Sequence, residues 1–146
     1  LAPSACNRQP WRFAVVRDVT LRRHIVREGF LPGLRMEWAE TAPVLVVLGM
    51  VRDVVTHRLG AGIAGVDYPW VDLGIAGEHV VLAAAEQGLG SCWIGWIRPP
   101  VVRRLVGWPL KVRPVAVLTL GRPAPDAPVR PPSERRYPLD ELVIWR

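Results

Sequence analysis

Three polar side chains crowd into one short stretch at the start of the chain. The run APSACNRQPWRF, Ala2 to Phe13, sets Ser4, Asn7 and Gln9 among Pro3 and Pro10, directly ahead of an apolar run. Side chains of these types offer neutral donors and acceptors, which suit the polar edge of a heteroaromatic ring. Composition alone also allows an ordinary turn before a strand. Other chemistries have weaker support. Gly60-Ala61-Gly62-Ile63-Ala64-Gly65 matches G-x-G-x-x-G. A dinucleotide site needs those glycines directly between a strand and a helix. Here the preceding apolar run ends near Met50, and Glu86 falls inside a helical pattern, so a glycine loop is the better reading. His24, His57, His79, Cys6 and Cys92 show no paired spacing for a metal. Nothing local supports a Cys/His nucleophilic pair either.

The elements that must position these residues follow from periodicity. Arg12 to Val16 reads as a strand, and Val44 to Gly49, VLVVLG, as a strand buried on both faces. Thr20 is placed to cap a helix over Leu21 to Glu28, and Leu34 to Glu40 suggests a second short helix. The clearest helix follows Asp67 and Pro69: Leu73, Ala76, Val80 and Ala84 recur at helical spacing, and Gly88 ends the run. Gly74 and Gly77 lie inside it, each at a cost of about 1 kcal/mol relative to alanine, so close approach of another backbone is expected. Ser91 to Ile97 and Pro114 to Leu120 read as strands, with a short helix at Pro100 to Val106 between them. Leu139 to Trp145 is an apolar tail that must pack on something. Strands separated by helices argue for a layered α/β or α+β fold around one sheet.

Composition narrows the class. A chain of 146 residues, half of them hydrophobic and 22% charged, is a single folded domain on length and core-forming capacity. No apolar run reaches the roughly 18 residues of a membrane span. The net charge is +6, and Lys111 is the only lysine. The arginines are scattered singly and in pairs without a basic stripe, so nucleic acid is not expected as a partner. Two cysteines make no disulfide framework and suit a reducing cytoplasm. The opening Leu1-Ala2-Pro3 reads like the end of a helix, so an upstream segment is expected.

Two further stretches change the weight of the first. They are Asp72 to Trp96, DLGIAGEHVVLAAAEQGLGSCWIGW, and Arg135 to Trp145, RRYPLDELVIW. In this order the three resemble the nitroreductase family. The motif P-S-x-x-N-x-Q-P-W is met by Pro3, Ser4, Asn7, Gln9, Pro10 and Trp11; G-L-G-[ST]-C-W-I-G is met from Gly88 to Gly95. The resemblance implies an α+β three-layer α-β-α sandwich with a mixed central sheet over residues 1–146. It implies a homodimer binding FMN across its interface, with NADH or NADPH as electron donor and a nitroaromatic or quinone as acceptor. By the same resemblance Pro3, Ser4, Asn7 and Gln9 contact the flavin, Ile94 and Gly95 lie near its N5, and Arg136, beside Arg135, meets the phosphate. The family's usual N-terminal arginine segment is not in this sequence, and Glu134 stands where many members carry a basic residue. Family-like polar flavin contacts are not recognisable around Leu34 to Glu37. The rival from another class is a non-catalytic flavin-binding or dimerisation module.

Overall fold

The computed structural model describes residues 2–34, 36–51, 65–127 and 136–146. Four strands form one sheet: β1 (Trp11–Val16), β2 (Val44–Val51), β3 (Gly90–Ile94) and β4 (Val112–Gly121), in the order β1-β2-β4-β3. β2 occupies the interior, antiparallel to β1 on one side and to β4 on the other. That position explains its unbroken apolar sequence, since all its residues from Leu45 to Met50 are buried.

The two faces of the sheet are covered by different elements. On one face Leu45, Val47, Val117 and Ile94 pack with Ile25, Val26, Phe30 and Val102. Ile25 and Val26 belong to the π-helical turn Ile25–Gly29 that continues α1 (Val19–His24), Phe30 follows that turn, and Val102 belongs to α3 (Pro99–Leu105); Leu21 of α1 packs against the same cluster. On the other face Val46, Leu48, Met50 and Leu118 pack with Leu73 of the long helix α2 (Tyr68–Glu86). Helices on both faces of a sheet make the expected three-layer sandwich. A short fourth helix, α4 (Leu139–Leu142), follows near the C-terminus.

The connection β2-α2-β3 brings back a strand running the same way as β2, and β4 inserts between the two, antiparallel to each. Every ladder among the described residues is therefore antiparallel, where a mixed sheet was expected. The α+β class is as expected. The local reason is that no described helix links two neighbouring strands in the crossover a parallel pair requires.

Local signals explain the element ends. Asp18, not Thr20, caps α1: its carboxylate accepts the Leu21 N–H at 2.7 Å. The Leu34 to Glu40 stretch becomes a 3-10 turn over Glu37–Thr41. α2 stops where Gly88 takes a φ of +72° and the Leu89 N–H returns to the Ala84 carbonyl at 2.9 Å. Arg22 is buried on α1, and its Nη1 donates to the carbonyls of Ala42 and Glu40, tying α1 to the entry of β2.

Candidate flavin site

The Ser4–Gln9 loop is built by its own polar atoms. Ser4 Oγ accepts the Gln9 N–H at 3.0 Å, and the Ser4 carbonyl accepts the Asn7 N–H at 3.0 Å. The Gln9 side-chain amide donates to Asn7 Oδ1 at 3.0 Å. These bonds hold three non-glycine residues at left-handed backbone angles: Cys6 at φ 50°, Asn7 at 53° and Gln9 at 49°. Such conformations cost of order 1–3 kcal/mol each and persist where the surroundings over-determine them, often at ligand sites. Asparagine tolerates the geometry better than cysteine or glutamine. Asn7 Oδ1 is occupied by Gln9, which leaves the two Asn7 Nδ2 hydrogens for an acceptor on a ligand. Asn7 and Gln9 are exposed, and Pro3 and Ser4 lead into the loop from the N-terminal side.

The loop is fixed to the scaffold at both ends. At its back the Val51 N–H donates to the Pro10 carbonyl at 2.9 Å, at the start of β1. At its front the Ala5 N–H donates to Asp72 Oδ1 on α2 at 3.0 Å. Asp72 is only 4% exposed.

Ile94 and Gly95 lie at the other edge of the sheet. The Ile94 side chain is buried in the core, so what it can offer a ligand is its backbone. Gly95 follows as β3 ends, and a Cβ built there would meet nothing within 4 Å. That open space admits a planar group against the main chain. The segment is held in place by the end of the π turn: Leu31 N–H donates to the Trp96 carbonyl at 3.0 Å, and Arg98 N–H to the Gly29 carbonyl at 2.6 Å. Next to this bridge is a cavity of about 260 Å³, lined by Val26, Phe30, Leu34, Met36 and Glu37 among others. Arg27 and Glu40 also line it and pair at 2.7 Å. The hydrogen bond from Arg27 holds the Glu40 carboxyl below its ordinary pKa of 4.5. The sequence pointed to no function for this wall, because it is assembled from a π turn and a 3-10 turn that have no clear periodicity.

One chain does not bring the two halves of the expected site together. The polar loop enters β1, Gly95 leaves β3, and these strands are the opposite edges of the sheet. Three strand spacings of ~4.8 Å put the edges roughly 14 Å apart. Arg136 is exposed just ahead of α4. Arg135 and Glu134 lie outside the described residues, as do Gly60 to Ala64 of the glycine motif.

The fold is an α+β sandwich with a polar loop of left-handed residues at one sheet edge and an open backbone at the other. The family model described as the nitroreductase family matches residues 26–122. A protein of Archaeoglobus fulgidus, provisionally named an NADH dehydrogenase/NAD(P)H nitroreductase, is 34% identical over 131 residues, covering 84% of this chain and 67% of its own. The crystal structure of a nitroreductase family protein from Clostridium difficile 630 superposes with a TM-score of 0.78 at 26% identity, covering 99% of this chain and 78% of that one. An FMN and NADPH-dependent nitroreductase from Sphigopyxis sp. strain HMH does so at 0.70 and 25%, covering 99% and 83%. The chain belongs to the nitroreductase family.

Proposed function

We propose that this chain is an FMN-dependent oxidoreductase that takes electrons from NADH or NADPH and passes them to a small acceptor such as a nitroaromatic or a quinone, acting as a cytoplasmic homodimer. The observation that carries this reading is the strained loop at Cys6, Asn7 and Gln9, which presents the Asn7 amide at one sheet edge, with the open backbone of Gly95 at the other. FMN supplies the two-electron relay between donor and acceptor when bound.

The residues' tasks follow from their chemistry. Asn7 Nδ2 donates to an acceptor on the ring edge, and the Ser4 hydroxyl, already accepting the Gln9 N–H, still has its own proton to donate. Gly95 would let a flavin ring approach the main chain closely, and the backbone beyond Ile94 would be available to the ring there. Arg136, with Arg135, holds the phosphate by charge-assisted hydrogen bonds.

A second copy completes the site. Loop and Gly95 sit on opposite edges, so a ring on one chain's β3 edge receives its polar loop from the partner. Apolar surface is available for that association. Val71 and Leu82 of α2 are exposed, as are Leu139, Leu142, Ile144 and Trp145 of the tail, the last at 84%. Among the described residues no helix is long and apolar enough to cross a membrane.

The test is direct. The purified chain is expected to be yellow with bound FMN, to sediment as a dimer at micromolar concentration, and to oxidise NADH or NADPH when a quinone or nitroaromatic is added. A colourless monomer that ignores added FMN sinks the proposal.

The role of Asn7 is separable from its backbone. Asn7→Gly keeps a residue at ease with φ 53° and removes only the side chain, whereas Asn7→Ala removes both advantages. Both variants are expected to weaken FMN by about tenfold, the worth of one hydrogen bond. Only the alanine variant is expected to lose apo stability, by about 1–3 kcal/mol. FMN binding retained in the glycine variant would mean that loop shape matters and the amide does not.

A further inference from the structure

We infer that Asp72 is a positioning residue for the flavin site, clamping the Ser4–Gln9 loop in its binding shape from 67 residues away. The inference rests on the proposed reading of the loop as a flavin-binding element, and it adds a residue that touches no ligand.

Burying a carboxylate is costly unless hydrogen bonds compensate. Asp72 is 4% exposed, on the helix α2 whose next residue, Leu73, packs with Val46, Leu48, Met50 and Leu118. An apolar residue there would serve packing as well. What the carboxylate uniquely does is accept the Ala5 N–H at 3.0 Å.

That bond falls where the loop needs it. The hydrogen bonds among Ser4, Ala5, Asn7, Arg8 and Gln9 close the loop on itself, but they move with it. They cannot decide where the strained residues Cys6, Asn7 and Gln9 stand relative to the sheet. The back end is fixed to β2 by Val51 and Pro10, and the front end by Asp72 alone among the described hydrogen bonds. α2 is a rigid base for the clamp. At Gly77 it lies so close to Trp93 and Leu48 that a Cβ would strike both. Asp72 therefore references the loop to the helix that also packs against β3, the strand leading to Gly95.

The experiment uses the whole chain with Asp72→Ala, Asp72→Asn and Ala5→Pro. Asparagine keeps an oxygen acceptor for Ala5 N–H; alanine does not. Proline at position 5 removes the donor and leaves the carboxylate, and Ser4, extended at ψ 154°, suits a residue before proline. Two readouts are taken. Amide hydrogen exchange of residues 6–9 in the apo chain measures the clamp without flavin. FMN titration, followed by fluorescence quenching and the circular dichroism of the bound ring, measures its consequence.

Asp72→Ala and Ala5→Pro are expected to raise loop exchange and the FMN dissociation constant about tenfold each. They are also expected to weaken the induced dichroism. Asp72→Asn is expected to stay within about threefold of wild type in both, and the Asp72→Ala/Ala5→Pro double variant to be no worse than Ala5→Pro alone, because both changes break one bond. Loop exchange and FMN affinity unchanged in Ala5→Pro would overturn the inference, and so would Asp72→Asn failing as badly as alanine. If Asp72→Ala does not fold, Ala5→Pro and Asp72→Asn decide. A wild-type chain that takes up no FMN defeats the reading of function, and the exchange measurements then judge the clamp by themselves.

Discussion

Replacing Gly77 with leucine is expected to lower the thermal midpoint of the chain by roughly 10 °C or more, through a steric collision inside the subunit. A Cβ at this position would strike the indole of Trp93 and come within 2.6 Å of Leu48 Cδ2. Leu48 is fully buried and cannot move aside cheaply, and the partly exposed Trp93 indole would have to swing away from the helix as well. Even Gly77→Ala should destabilise. Its helix-propensity gain of about 1 kcal/mol is smaller than overpacking costs of about 1–3 kcal/mol or more. The sequence reading expected a closely approaching backbone at Gly74 and Gly77; at Gly77 the neighbour is side chains of the protein's own sheet. At Gly74 a Cβ meets nothing within 4 Å. Gly74→Ala should therefore stabilise the monomer by up to ~1 kcal/mol. If the exposed face of α2 is the dimer surface, Gly74→Leu should weaken association and leave monomer stability alone. Thermal melts and sedimentation at two concentrations separate the two glycines. A Gly77→Leu chain that melts like wild type would show that the helix can shift away from β3.

What was legible in the sequence and what was not divide along the range of the interactions. β2 was readable because burial on both faces leaves a continuous apolar run, VLVVLG. α2 was readable because Leu73 and Ala76 recur on one face and Gly88 stops the helix. The π turn at Ile25–Gly29 carries an ordinary helical pattern in the sequence; Gly29 at its end packs so closely on α3 that a Cβ would come 2.8 Å from Val102 Cγ2. The insertion of β4 between β2 and β3 has no local signal, because each pairing partner is distant in the chain. The loop at Ser4 to Gln9 was recognised from its motif, but its left-handed angles were not, since no glycine marks them. Asp72 lies within a helical motif and has no local signal of its role, because its partner Ala5 is 67 residues away. The candidate site's two halves are legible as separate motifs, and only the sheet order shows that one chain holds them on opposite edges.

Loss of the Arg136 side chain is expected to weaken FMN by about tenfold to a hundredfold, the effect of one hydrogen bond with a charged partner at about 1.5–3 kcal/mol. FMN carries a dianionic phosphate, and a guanidinium meets it with paired, charge-assisted donors. Arg136 is exposed and stands two residues ahead of Pro138, where the chain turns into α4. Asp140 and Glu141 follow in that helix and oppose an anion, so the burden falls on the arginine side of the turn. Riboflavin, which has no phosphate, is the control. Its weaker binding should hardly change in Arg136→Ala, and the gap between the two ligands should close. Salt gives an independent check, because screening of an exposed pair should lower FMN affinity as ionic strength rises and leave riboflavin nearly constant. Arg136→Lys should recover part of the loss, since lysine keeps the charge without the bidentate fork. Equal losses for FMN and riboflavin in Arg136→Ala would show that the residue shapes the pocket as a whole, and the phosphate would then have to be held elsewhere, with Arg8 in the polar loop the next side chain to replace.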